Sequence, residues 1–127
     1  MSDLQTSMAI AASGMRAQST RLRHVAENIA NADTPGYRRK TVSFETEYGG
    51  SGKVRTGPVQ LDRSELKTIH DPSHPLADEQ GFYKGSNVET VIESADSREA
   101  QRSYEANLKM FDQARQMSSS LLELLRK

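Results

Sequence analysis

Ala26–Arg39, AENIANADTPGYRR, decides the fold. Thr34 precedes Pro35, and a residue before proline is pushed out of the α region into extended geometry. Pro35-Gly36 fits the two central positions of a type II turn, because Gly36 takes positive φ without a Cβ clash. The stretch therefore predicts a helix that ends near Asn31 or Asp33 and a chain that leaves it sharply. Upstream, Leu4, Met8, Ala11, Met15, Gln18, Leu22, Val25 and Ile29 step by four and three. That is a heptad seam with one polar break, at Gln18. Ser2 to Gln5 suits a capping box at its start. A helix of this length spans roughly 45 Å, and its small residues, Ala9, Ala11, Ala12 and Gly14, crowd the first half. Gly14 costs about 1 kcal/mol against alanine in a helix, so close approach of another backbone is expected there.

Downstream the helical spacing is lost until about Asn87. Val42, Phe44 and Tyr48 share one alternating face of TVSFETEY, a short strand signal. Gly49-Gly50-Ser51-Gly52 reads as a turn or flexible loop. Lys53–Leu61, interrupted by Gly57-Pro58, and Leu66–Ile69 are weaker strand candidates. Asp71-Pro72 and His74-Pro75 force an irregular crossing, and Gly81–Gly85 reads as a small hairpin arm. Helical spacing then returns, with Asn87 or the Asp96/Glu99 pair as alternative N-terminal caps. Tyr104, Leu108, Phe111, Arg115, Ser118, Leu122 and Leu125 form its seam, with Met110, Ala114, Met117, Leu121 and Leu124 beside them. Glu105–Lys109 and Glu123–Lys127 are favourable i,i+4 pairs, and Arg126 and Lys127 suit the negative end of the helix dipole. The expected fold is mainly α. Helices over 1–33 and 87–127 pair along their seams as a coiled-coil-like hairpin forming one α domain, and 34–86 is a turn-rich, β-containing insertion.

Composition limits what this chain can do. Leu, Ile, Val and Phe make 23 of 127 residues and mean hydropathy is −0.73, thin for a self-sufficient globule. The apolar stripes are therefore expected to need partner chains. Equal numbers of basic and acidic residues, 17 each, give no bulk drive toward nucleic acid or anionic lipid. The absence of cysteine removes disulfides and thiolate chemistry. MSDLQTSMAI is not a cleavable secretory signal, and nothing approaches the length of a membrane span.

No side-chain constellation invites catalysis. His70 and His74 lie near Asp71 and Asp78, but Pro72 and Pro75 prevent the helix that would aim both rings at one metal ion, so they read as polar loop residues. His24, on the polar side of the first helix, reads the same way. Arg38-Arg39-Lys40, with Arg21 and Arg23, reads as a solvated face or a set of carboxylate partners rather than a phosphate site. Ser118, Ser119 and Ser120 read as helix-packing residues, and no nucleophile elbow, phosphate loop or zinc motif is present. No catalytic, cofactor or metal site is expected. Tyr37 and Tyr104 read either as helix-end packing or as subunit contacts.

The chain resembles the bacterial flagellar basal-body rod proteins. The likeness runs through Ser13-Gly14-Met15, Gln18, Arg21-Leu22 and the A-x-N-I-A-N-x-x-T-P-G-Y signature of Ala26–Tyr37, then Tyr104-Glu105-Ala106-Asn107 in the last helix. Asp71-Pro72, His74-Pro75, Ala77-Asp78, Gly81 and Asn87-Val88 point to a proximal-rod member, with Ser86 standing where such sequences commonly have proline. The resemblance implies a non-enzymatic structural subunit, exported by the flagellar type III apparatus without a cleaved signal. It would assemble in the periplasm as a helical drive shaft for motor torque, without inserting in the membrane or binding nucleic acid. The implied partners are further copies, the rod proteins FlgB, FlgF and FlgG, and FliE at the MS ring. The residues expected to carry assembly are Leu4, Met8, Met15, Leu22 and Ile29 on the first helix, and Asn28, Asn31, Pro35, Gly36 and Tyr37 around the turn. On the last helix they are Tyr104, Asn107, Leu108, Phe111, Leu122 and Leu125. The competing expectation is a helical-hairpin adaptor or export chaperone that never polymerises.

Overall fold

The computed structural model describes residues 2–126. Helix α1 spans Ser2–Ala30 and helix α2 spans Thr90–Arg126. Between them lie β1 (Lys40–Thr41), β2 (Phe44–Thr46), β3 (Val54–Thr56), β4 (Gln60–Leu61), β5 (Thr68–His70) and β6 (Phe82–Lys84). The expected capping by the Ser2 side chain, the Glu123–Lys127 pair and the dipole role of Lys127 lie outside the described residues.

The local chemistry of the turn ends α1 as expected. The Asn31 N–H still reaches the Glu27 carbonyl at 3.1 Å, and then the Tyr37 N–H closes on the Thr34 carbonyl at 3.2 Å with Gly36 at φ +76°. That positive φ at the third position is the type II geometry. The Gly36 N–H also donates to the Gly85 carbonyl at 3.1 Å, tying the turn to the end of β6.

All strand pairs are antiparallel: β1 with β4, β2 with β3, and β5 with β6. The first two are one hairpin broken in the middle. Thr41 faces Gln60 and Phe44 faces Thr56, and between them the Gly57 N–H donates to Ser43 while Pro58 has no N–H to give. Gly81–Gly85 pairs back onto the 66–69 region as a hairpin arm, in the register Ile69 against Tyr83. The apolar alternation of TVSFETEY does not turn inward, however. Tyr48 is 93% exposed at the hairpin tip and Phe44 is exposed, whereas Glu45 is half-buried. The hairpin lies along α1 by its β3 edge, where the Val54 N–H donates to Ser13 Oγ at 3.1 Å, so the side chains of β2 have no sheet to pack on.

The two helices are antiparallel, Gly14 meeting Asn107 and Asn28 meeting Glu93. The face they share keeps part of the expected stripes, Ala11 and Val25 on α1 and Ala114 on α2, but not their large residues. Its buried apolar residues are small: Ala11, Ala17 and Val25 on α1, and Ala100 and Ala114 on α2. Ile29, Leu108, Leu122 and Leu125 are exposed, and Leu4, Met8, Met15 and Leu22 only half-buried. Small side chains allow the helix axes to approach, and the larger residues are rotated to the flanks. Gly14 shows the same closeness. A Cβ there would lie 2.7 Å from Asn107 Nδ2, so it is a side chain, not a backbone, that the glycine admits. Asn107 is held by a 2.9 Å bond to the Ser103 carbonyl. Gly14→Val is expected to cost about 1–3 kcal/mol through overpacking, read as a lower urea midpoint, with Asn107→Ala in the same chain recovering most of it. A valine tolerated without loss would show that the helices do not need this approach.

Neither expected cap starts α2. It begins at Thr90, and the Asn87 amide is taken up by the insertion: it accepts from the Arg39 N–H at 2.7 Å and donates to the Asp62 carbonyl at 2.9 Å. Among the described residues Glu105 and Lys109 form no ion pair. At the register seen, the first turn of α1 lies near residue 118. Helix α2 therefore runs about two turns past it, and Leu121, Leu122, Leu124 and Leu125 have no α1 beside them.

Candidate functional site

The polar residues of the turn region form a clamp around Asn28. This side chain is fully buried, and its amide uses every hydrogen-bonding site it has. Oδ1 accepts from the Lys40 N–H at 2.8 Å and the Tyr37 hydroxyl at 2.9 Å; Nδ2 donates to the Lys40 carbonyl at 3.0 Å and Glu93 Oε2 at 3.3 Å. A side chain of α1 thereby pairs with the backbone of β1 much as a strand would. Asn31 closes the helix end, donating to the Glu27 carbonyl at 2.9 Å and accepting from the Thr34 hydroxyl at 3.1 Å.

Glu93 joins the clamp to α2. Its carboxylate is 0% exposed, and Arg39 Nε donates to it at 2.6 Å. The same guanidinium reaches Asp62 and Asp96, each at 3.4 Å. Burial works against the charge of Arg39, yet its bonds to Glu93 and Asp62 outweigh that and hold its pKa above the ordinary value. Lys40 pairs with Glu27 at 2.7 Å, and Arg21 with Asp96 at 3.4 Å. Arg38 donates to the carbonyls of Asp62 and Ser64. The basic run is thus a set of carboxylate and carbonyl partners. One link from the turn to each helix fixes the angle at which the insertion leaves the helix pair.

Four acidic groups are held below their usual pKa values by hydrogen bonds they make in the fold. They are Glu27 through Lys40, Asp62 through the Ser64 N–H, Asp71 through the Ser73 hydroxyl, and Asp78 through the Phe82 N–H. A depressed carboxylate contributes stability above its unfolded pKa and loses it as pH falls through the folded value. The urea midpoint is therefore expected to fall below about pH 4.5. A midpoint that rises on acidification from pH 5 would contradict the assignment.

The histidines need two corrections of emphasis. His24 is not on a polar surface: it is 6% exposed, because the hairpin base folds over this side of α1. His70 and His74 serve the β5–β6 arm, His70 edge-on to Phe82 at 4.6 Å and His74 stacked on Tyr83 at 3.9 Å. Among the described residues no group of three or more potential ligands is gathered for a metal.

The structure thus brings Asn28, Asn31, Pro35, Gly36 and Tyr37 together at the turn, and it sets Asn107 against Gly14. It leaves Ile29, Tyr104, Leu108, Leu122 and Leu125 on the outside, with Phe111 half-buried. Glu93 and Asp62 carry no signal in the sequence, since their partners are distant along the chain, and Asn87 is expected only as a helix cap and as part of the family likeness. Of this cluster, Asn28 and Tyr37 are expected from the sequence as assembly residues, and Arg39 as a carboxylate partner. No helix among the described residues is long and apolar enough to cross a membrane.

Asn28 and Glu93 are bonded within their own chain and the helices carry leucines facing outward, an arrangement that suits a structural protein. The sequence comparisons agree. Residues 8–38 match the family described as flagella basal body rod protein, and residues 79–124 match the flagellar basal body rod FlgEFG protein C-terminal family. Flagellar basal-body rod protein FlgC of Agrobacterium fabrum is 46% identical, covering 99% of this chain and 98% of its own length. FlgC of Salmonella typhimurium is 35% identical over 91% of this chain and 92% of its own, and FlgC of Aquifex aeolicus 34% identical over 97% and 98%. The chain belongs to the flagellar basal-body rod protein family and is, like its FlgC relatives, a structural protein rather than an enzyme.

Proposed function

We propose that this chain polymerises as a proximal-rod subunit, joining FlgC-like copies to FlgB, FlgF and FlgG, with FliE linking the rod to the MS ring. In this role it is passed out by the flagellar type III apparatus without signal cleavage and carries motor torque through the periplasm. The observation that supports this best is the overhang of α2, where Leu124 and Leu125 are 66% and 80% exposed. Fully covering a leucine yields about 1.5–3 kcal/mol, so covering that stripe with neighbouring chains is strongly favourable. The paired helices over 1–33 and 87–127 serve as the assembling unit. Ile29, Tyr104, Leu108, Leu122 and Leu125 meet neighbours, while the turn at Pro35-Gly36 sets the angle of the 34–86 insertion. Contacts between unlike surfaces that do not close build a helical stack.

Sedimentation of the purified chain with the other rod proteins tests this reading. An open, concentration-dependent series of sizes is expected. A closed complex of fixed size would favour a non-polymerising adaptor or chaperone instead.

A further inference from the structure

The large apolar residues of the helix pair fall into two stripes on opposite sides of it. Met15 follows Gly14 by one position, and Leu108 likewise follows Asn107, where the helices meet. Met8, Leu22 and Phe111 precede the buried Ala11, Val25 and Ala114 by three, and Tyr104 follows the buried Ala100 by four. All of these steps are rotations of one sense, about 40–100° from the contact line. In antiparallel helices the same rotation leads to the same side of the pair. Met8, Met15, Leu22, Tyr104, Leu108 and Phe111 therefore line one groove between the helices, and none of them is buried.

The hairpin lies on the other side. It meets α1 at Ile10 and Ser13, which precede Gly14 by four and by one, the opposite rotation. Helix α2 is rotated the same way at Met110, four before Ala114, and at Met117, three after it. With Leu124 these form a second stripe, 55%, 58% and 66% exposed. Met117 and Leu124 border a recess of about 590 Å3, together with Gln113 and Leu121.

Groove and stripe match in period and length. Met8, Met15 and Leu22 are seven residues apart, and so are Met110, Met117 and Leu124. That is the repeat with which helices interlock their side chains. One chain cannot join the two, because its own helices stand between them. We propose that the groove of one copy receives the Met110–Leu124 stripe of a second copy of this chain. With both copies pointing the same way, Met15 faces Met117, Met8 faces Leu124 and Leu22 faces Met110. Gly14 meets Asn107 within a chain, so Met15 is level with its own Ala106. The second copy is therefore displaced by eleven residues, about 16 Å along the axis. That displacement supplies what the overhang lacks: residues 119–126 of the second copy come to lie beside residues 6–13 of the first copy's α1. Groove and stripe are unlike surfaces, and a contact with an axial step cannot close into a ring, so it repeats as a helical stack.

This inference rests on the assembly reading above, and its test separates the two. The chain has no cysteine, so Ser19→Cys beside Met15 and Leu22, and Gln113→Cys beside Met110 and Met117, give an unambiguous pair. Both positions are exposed. Within a chain they lie on opposite sides of the helix pair and about 16 Å apart along it, so a short bis-maleimide joins them only across copies. In rods purified from cells carrying both, that link is expected, and Met117→Lys in the same background should lower its yield about fivefold or more. Rods that form normally without the link, or with a link indifferent to Met117→Lys, would overturn the proposal and leave the rod reading standing. Failure of the unaltered chain to enter rods would instead sink that reading. Sedimentation gives a second measure that does not depend on the cysteines. Met15→Lys with Met117→Lys should weaken self-association about a hundredfold, and Met15→Glu with Met117→Lys should recover about tenfold of it. Inside one chain these positions are farther apart than the Debye length of about 8–10 Å, so the recovery reports a contact between copies. Equal association of the two variants overturns the docking.

Discussion

Arg39→Met is expected to remove about 3–5 kcal/mol of stability, a large part of the 5–15 kcal/mol or so typical of a folded domain. The reason is what it leaves behind. Glu93 is wholly buried, and Arg39 is the cation bonded to it, at 2.6 Å; the Asn28 amide at 3.3 Å cannot replace that charge. Asp62 and Asp96 lose the same guanidinium. Urea unfolding measures the loss, and hydrogen exchange locates it: protection should fall first over 40–61, where the insertion is pinned to the helices. Arg39→Lys should recover little, because the three N–H groups of an ammonium sit on one nitrogen, whereas Arg39 meets its three carboxylates with three separate nitrogens of a planar guanidinium. Arg39→Met with Glu93→Leu should recover most of the stability, since the unpaired charge is then gone. A double variant as unstable as the single would show that the loss arises from something other than the stranded carboxylate.

The clamp also shows why only part of this molecule can be read from its sequence. The end of α1 and the break at Gly57-Pro58 are legible because proline and glycine act through their own backbone geometry, whatever surrounds them. The hairpin arm at 81–85 is legible for the same reason. Glu93 and Asn28 are different: their burial depends on partners 65 positions apart in the chain, and nothing local distinguishes Glu93 from the solvated glutamates of α2. His24 belongs with them, buried by the fold of a distant hairpin rather than by its place on the helix.

The choice of helix face holds for the small residues and not for the large ones, for a more useful reason. Period-counting assigns the large residues to the inside, a rule that holds for a chain that folds alone. Here Ala11, Gly14, Ala17, Ala100 and Ala114 take the inside and Leu108 lies on the outside, while Leu122 and Leu125 lie on the overhang past the end of α1. The displacement suits a subunit: small residues bring its own helices close and leave large ones exposed. Of the expected stripes the small members, Ala11, Val25 and Ala114, are buried between the helices, and the large ones are not.

That division of labour makes the second large effect separable from the first. Leu122→Lys with Leu125→Lys is expected to leave the monomer's urea midpoint nearly unchanged, within about 0.5 kcal/mol. These side chains are 47% and 80% exposed on the overhang, where no α1 lies beside them. Lysine also keeps good helix propensity and suits the negative end of the dipole. In the assembled state the same positions would bury two unpaired ammonium groups and forfeit two leucine contacts, several kcal/mol at each junction. Self-association should fall by about a thousandfold or more, with few rods recovered from cells and swimming lost. Leu122→Met with Leu125→Met, which retains apolar volume, should assemble almost normally. The contrast with Arg39→Met is the deciding feature: one variant loses its fold, the other keeps its fold and loses its neighbours. If the lysine pair instead unfolded the free chain, or assembled as well as the unaltered protein, the overhang would not be the surface that neighbouring subunits cover.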